Sequence, residues 1–140
     1  LMDRIDLHVE VSPIQINDLS NIPNASESSA TIRERVTKAR LIQKTRFQKD
    51  GFEQIHNNSQ IPSKFIQQLC RLKPQSQQLL TSAMSRLNLS ARAYHRILKV
   101  ARTIADLGNE LDILPEHVAE AVQYRSLDRS RWGNSSTGLS

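Results

Sequence analysis

The chain has 140 residues, 38% apolar and 4% aromatic, with 19 Lys and Arg against 14 Asp and Glu and a formal charge of +5. That length holds one modest domain with a core of Leu, Ile, Val and Ala. The basic balance permits phosphate or nucleic-acid partners beside the ordinary solvated surface. A single cysteine, Cys70, excludes an internal disulfide framework. With no membrane-length apolar run and no signal-peptide pattern, a cytoplasmic setting without a membrane partner is expected.

Taken in order, Ile5, Leu7, Val9 and Val11 alternate with Asp6, His8 and Glu10, the period of a half-buried strand that Pro13 ends. No comparable strand follows, so this one needs a partner sheet from elsewhere. Residues 18–29 are polar and turn-rich and read as a linker. From 31 to 48 the pattern turns helical, with Ile32, Val36, Ala39 and Phe47 able to share a face. Seven basic residues crowd 31–49, namely Arg33, Arg35, Lys38, Arg40, Lys44, Arg46 and Lys49, with Glu34 the single acid. Such a helix can track a phosphate backbone, and a solvated basic face is the alternative. Asp50 and Gly51 stop it.

After a loop over 52–60, Pro62 suits the first turn of a helix to about residue 72, with Phe65, Ile66 and Leu69 inward. Pro74 opens the next helix, whose apolar face is Leu79, Leu80, Ala83, Met84 and Leu87. Asn88 and Leu89 turn into the central helix, where Ser90 is the expected N-cap and Gly108 the C-terminal glycine. Its apolar stripe is Ala91, Tyr94, Leu98, Ala101 and Ala105, widened by Ile97 and Ile104. Its polar face carries Arg92, His95, Arg96, Lys99 and Thr103. Arg92 sits in the first turn, where free N–H groups and a cation together suit an anion. Pro115 opens a last helix with Val118, Ala121, Val122 and Arg125, and the segment from Trp132 onward reads as a tail.

His8, His56, His95 and His117 share no metal-ligand spacing, and Cys70 lacks an activating neighbourhood and reads as a buried, inert thiol. No Gly-x-x-x-x-Gly-Lys-Ser/Thr loop occurs; the glycines at 51, 108, 133 and 138 are isolated. The chain alone is therefore not expected to be an enzyme.

Three stretches carry a resemblance. They are Leu1-Met-Asp-Arg-Ile-Asp-Leu-His-Val-Glu-Val11, Ser90-Ala-Arg-Ala-Tyr-His-Arg-Ile-Leu-Lys-Val-Ala-Arg-Thr-Ile-Ala-Asp-Leu107 and His117-Val-Ala-Glu-Ala-Val-Gln-Tyr-Arg-Ser-Leu-Asp-Arg129. In this order they resemble the C-terminal region of the magnesium-chelatase-related AAA+ ATPases of the ComM/YifB-like kind.

The resemblance implies an all-α fold. It is a small helical bundle, the AAA+ lid, over 31–129, preceded by a remnant strand and loop of the α/β core over 1–30 and followed by a flexible tail over 130–140. The chain then reads as an excised piece of a longer protein. The resemblance assigns Arg92 the role of the sensor-2 arginine that contacts nucleotide phosphates, with Arg96 one turn later as second choice. It matches Arg4 to the arginine finger that reaches the neighbouring subunit's γ-phosphate. It implies ATP and Mg2+ as cofactors of the whole protein, none held tightly by this chain alone. Its implied partners are the chain's own AAA+ core, the neighbouring subunits of a homo-hexamer, and DNA, through helicase or branch-migration activity. The rival class is an autonomous basic helical module using Arg33, Arg40 and Lys44 on nucleic-acid phosphates. A small helical adaptor without a ligand is the third.

Overall fold

The computed structural model describes residues 4–11 and 27–133, with side chains described through Arg125. Five α-helices follow in order: α1 (Ser29–Lys49), α2 (Ile66–Leu69), α3 (Pro74–Leu87), α4 (Ala91–Leu107) and α5 (Pro115–Gly133). The expected all-α fold is what forms, and α4 is its axis. Ser90 caps α4 by accepting the Ala93 N–H at 3.2 Å, as its position implied. Ala93, Ile97, Leu98, Ala101 and Ala105 are buried along it. The stripe is rotated from the expected one: Ala91 is exposed and Tyr94 and Ile104 are half-buried. α1 packs on one side of α4 and α5 on another, so burial covers a wider arc than a single-sided amphipathic helix needs. Alanines at 93, 101 and 105 keep that surface narrow enough for two neighbours.

Three helices stop by one device. Beyond α1, the Phe52 N–H donates to the Phe47 carbonyl at 2.7 Å; beyond α3, Leu89 donates to Met84 at 3.1 Å; beyond α4, Glu110 donates to Ala105 at 2.8 Å. Each closure needs a left-handed residue, and these are Gly51 (φ 79°), Asn88 (φ 49°) and Asn109 (φ 56°). Gly108, expected to supply that turn, has φ −83° instead, and the next residue takes it.

Two expected elements differ. The helix from 62 to about 72 is a 3-10 turn, Ser63–Phe65, and then only Ile66–Leu69. Leu72 instead pairs as a lone parallel bridge with Ile113, and the residue before Pro74 must be extended. Ser76 adds a hydrogen bond from its hydroxyl to the Ile113 carbonyl at 2.9 Å, tying the start of α3 to the α4–α5 loop.

The strand expected over 5–11 does not form, and no strand occurs among the described residues. A strand has no partner sheet here, so the segment lies irregularly on the helical body. His8 N–H donates to the Tyr124 carbonyl at 3.2 Å, and Arg125 Nη1 to the Ile5 carbonyl at 2.8 Å. Its apolar residues face away: Ile5, Leu7, Val9 and Val11 are all exposed. At the other end, α5 runs to Gly133, four residues beyond the expected end at Arg129. Of the linker expected over 18–29, residues 18–26 fall outside the described residues, as do residues 134–140 of the tail expected over 130–140.

α1 is anchored only by its second half. Ala39, Gln43 and Phe47 are buried, whereas Ile32 and Val36, expected on the inward face, are each 42% exposed. Among the described residues its first turns carry no buried side chain. Burial pushes the Cys70 thiol up to about 11, which fits the inert role expected for it.

Candidate functional site

The polar face of α4 opens on a cavity of about 420 Å³ lined by Asp6, Ser59, Ser63, Arg92, Arg96 and Lys99, with Ala91 and His95 completing it. Arg92 and Arg96 stand one turn apart, so the helix brings both guanidinium groups to one mouth. Arg92 is exposed and Arg96 half-buried. Lys99 is held across the opening by donating to the Ser59 carbonyl at 3.0 Å. Arg96 Nη1 is paired with Asp6, which reaches it from the segment before the helices. Arg96 Nε is buried and has no hydrogen-bond partner among the described residues.

Three cations thus face one carboxylate, beside the N-terminal turn of a seventeen-residue helix. A surplus of donors and an orphaned guanidinium N–H are what an oxyanion satisfies, and the planar guanidinium suits a phosphate edge. The residues present therefore fit the phosphate end of a nucleotide. Among the described residues no group of three His, Cys, Asp or Glu side chains could hold a metal. The side chains at this cavity are chiefly hydrogen-bond donors, with Asp6 its one carboxylate among the described residues.

Arg4, matched to the finger that reaches a neighbouring subunit, is exposed and is not among the residues lining this cavity; Asp6, two positions on, is. Sequence reasoning passed over Asp6, Ser59 and Ser63. Asp6 was read only as the polar beat of an alternating strand, and nothing local to it signals a partner ninety positions on.

A polar clamp toward the C-terminal end of α4 holds that helix in place. Asp106 has no exposed side-chain surface and accepts from Arg46, from Arg102 Nε at 3.1 Å and from Asn58 Nδ2 at 2.9 Å. Arg102 also donates to the carbonyls of Glu110 at 2.8 Å and Leu111 at 3.0 Å. Asn58 Nδ2 reaches Thr103 Oγ1 at 3.0 Å, and the Asn58 N–H is taken by Gln43 at 3.2 Å. Burial pulls the Arg102 guanidinium below its usual pKa, and the Asp106 carboxylate is the main charge opposing that. The clamp joins α1, the 58–60 turn, α4 and the α4–α5 loop. Only its i, i+4 pair, Arg102 and Asp106, was legible locally.

The basic helix resolves into paired and unpaired cations. Arg35 pairs with Glu27 at 2.8 Å, Lys38 with Glu34 at 2.9 Å, and Arg46 belongs to the clamp. Arg33, Arg40 and Lys44 are exposed, fall on one stripe of α1 and form no ion pair among the described residues. They span about 16 Å along the axis. Arg125, on α5, is 5% exposed and belongs to the interior. Among the described residues no helix is long and apolar enough to cross a membrane.

The family described as "Magnesium chelatase, subunit ChlI C-terminal" matches residues 26–125. The chain is 43% identical over 128 residues to competence protein ComM of Haemophilus influenzae, covering 91% of this chain and 24% of that protein. It is 39% identical over 128 residues to the uncharacterized protein YifB of Escherichia coli, with the same coverage of 91% and 24%. An uncharacterized protein of Mycobacterium bovis is 28% identical over 131 residues, 94% of this chain and 25% of its own length. The chain spans about a quarter of the length of these relatives. By its matched domain and its relatives, the chain belongs to the magnesium-chelatase-related proteins of the ComM/YifB-like kind, within their ChlI-type C-terminal family.

Proposed function

We propose that this chain is the helical lid of an AAA+ ATPase and that the polar face of α4 senses nucleotide phosphate. The observation that carries the reading is the cavity where Arg92, Arg96 and Lys99 converge against Asp6 alone. Arg92, exposed at the mouth, is the sensor; Arg96 is the second contact. ATP, with Mg2+ held by the core, supplies the anion and the driving free energy. Arg4 serves as the finger toward the next subunit of a homo-hexameric ring. The uncovered Ile5, Leu7, Val9 and Val11 support a sheet in the core as the partner of that segment. The name of the Haemophilus relative, a competence protein, favours DNA as what the motor acts on.

Titrated with inorganic triphosphate, the chain should bind saturably, with the Arg92 and Arg96 side-chain N–H resonances shifting together. Given ATP, it should release no phosphate, since it holds no phosphate loop. Turnover by highly purified chain, abolished by Arg92→Ala, would contradict that part of the account.

A second reading has its own support in the stripe of Arg33, Arg40 and Lys44, which no acid neutralises among the described residues. If these three cations contact DNA phosphates, log K for duplex binding should fall against log salt with a slope of about −2.7. Replacing all three by Ala should remove the dependence. A weak affinity indifferent to both salt and the triple change would leave the stripe a solvated face.

A further inference from the structure

Asp6 is the one carboxylate among the described residues of a cavity that also holds Arg92, Arg96 and Lys99, and it comes from the segment before the helices. Its partner Arg96 is the second phosphate contact of the reading above, on which this inference rests. The segment carrying Asp6 is held at two further points, by Arg125 on the Ile5 carbonyl and by the His8 N–H on Tyr124. We infer that Asp6 is a resident counter-anion: it occupies Arg96 in the absence of nucleotide, and phosphate displaces it. Asp6 is a positioning residue, because it acts through Arg96 and not on the nucleotide.

Two consequences follow from linkage. Whatever factor the Asp6–Arg96 pair takes from phosphate affinity, bound phosphate takes from the docking of the segment. Arg4 lies two residues before Asp6, within about 7 Å of chain. Release of Asp6 therefore removes one of the three described contacts that hold the segment carrying the proposed finger, coupling phosphate sensing in one subunit to the segment offered to its neighbour. The pair is suited to such an exchange. Its side chains are 25% and 51% exposed, so water and ligand both reach it and its strength is modest.

The test uses this chain and inorganic triphosphate as probe. Asp6→Asn should bind triphosphate about two- to sixfold more tightly than the unaltered chain, the range expected for removing a competitor of an exposed pair's strength. In the unaltered chain, saturating triphosphate should speed exchange of the His8 amide by a comparable factor. A purely structural Asp6 would give weaker binding on substitution, not tighter. Equal affinity with Asp6→Asn, and His8 exchange indifferent to triphosphate, would overturn the inference while Arg92→Ala still weakens binding. No binding by either chain, with Arg92→Ala silent, would remove the phosphate site itself and this inference with it.

Discussion

Asp106→Ala should cost about 3–5 kcal/mol of stability, the range for breaking a buried charge cluster from one side. Asp106 is fully buried, and Arg102, 5% exposed, and Arg46, 20% exposed, both lie against it. Without the carboxylate, two guanidinium groups repel one another in a space too enclosed for water to compensate, and Asn58 loses an acceptor. A domain of this size holds about 5–15 kcal/mol in total, so the loss takes a large part of it. At about 4–8 °C per kcal/mol the melting temperature falls by tens of degrees. The cost arises from stranding charge and not from the worth of the pair. Replacing Asp106, Arg102 and Arg46 together by Leu, Met and Met should therefore recover most of it. Thermal or urea unfolding of the single and triple variants checks both statements. A single-variant loss below about 1 kcal/mol would show that water reaches the clamp.

Arg92→Ala should act in the opposite sense, on function and not on folding. The side chain is exposed at the cavity mouth, and its truncation opens no hole in the core. Stability should move within about 0.5 kcal/mol. In the longer ATPase that the proposed function supposes, loss of one charge-assisted phosphate contact should remove roughly 1.5–3 kcal/mol. That is about ten- to a hundredfold in nucleotide affinity or hydrolysis rate. Arg92→Lys should restore only part of this, because an ammonium offers a point charge where a guanidinium offers a fork. Lys99, on the same helix, is no neutral control, since it lines the same cavity.

The parts of this fold that could be read from sequence were those decided by neighbours in sequence. α4 announced itself through Ser90, its apolar period and the turn after Leu107, and α3 and α5 through their opening prolines. The phase of α4 was less legible. Which alanines face inward depends on two packing partners, and Ala91 and Ala93 are chemically alike. In α1 the apolar period placed Ala39 and Phe47 inward but also Ile32 and Val36, which stay outside, and it passed over Gln43, a polar residue of the anchor. α2 is shorter than the helix expected to about residue 72, because Leu72 is committed to Ile113, forty-one positions away.

The candidate site shows the same division. Arg92 and Arg96 converge by helical spacing alone, and their shared face was visible in advance. Asp6, Ser59 and Ser63 complete the cavity through tertiary approach. The clamp also forms by tertiary approach, with Arg46 and Asp106 sixty positions apart. No local pattern marks such partners; only the helix pair Arg102 and Asp106 has a spacing that does.

The central claim is that α4 presents Arg92 to nucleotide phosphate. Its most direct test is the ATP affinity of the longer protein that the proposed function supposes, carrying Arg92→Ala beside Arg86→Ala, an exposed arginine in the last turn of α3 outside the cavity, with the melting temperature of each. The account predicts affinity reduced about ten- to a hundredfold for Arg92→Ala alone, with both variants melting like the parent. Equal and small changes in affinity from the two substitutions would contradict it and leave Arg92 a solvated arginine.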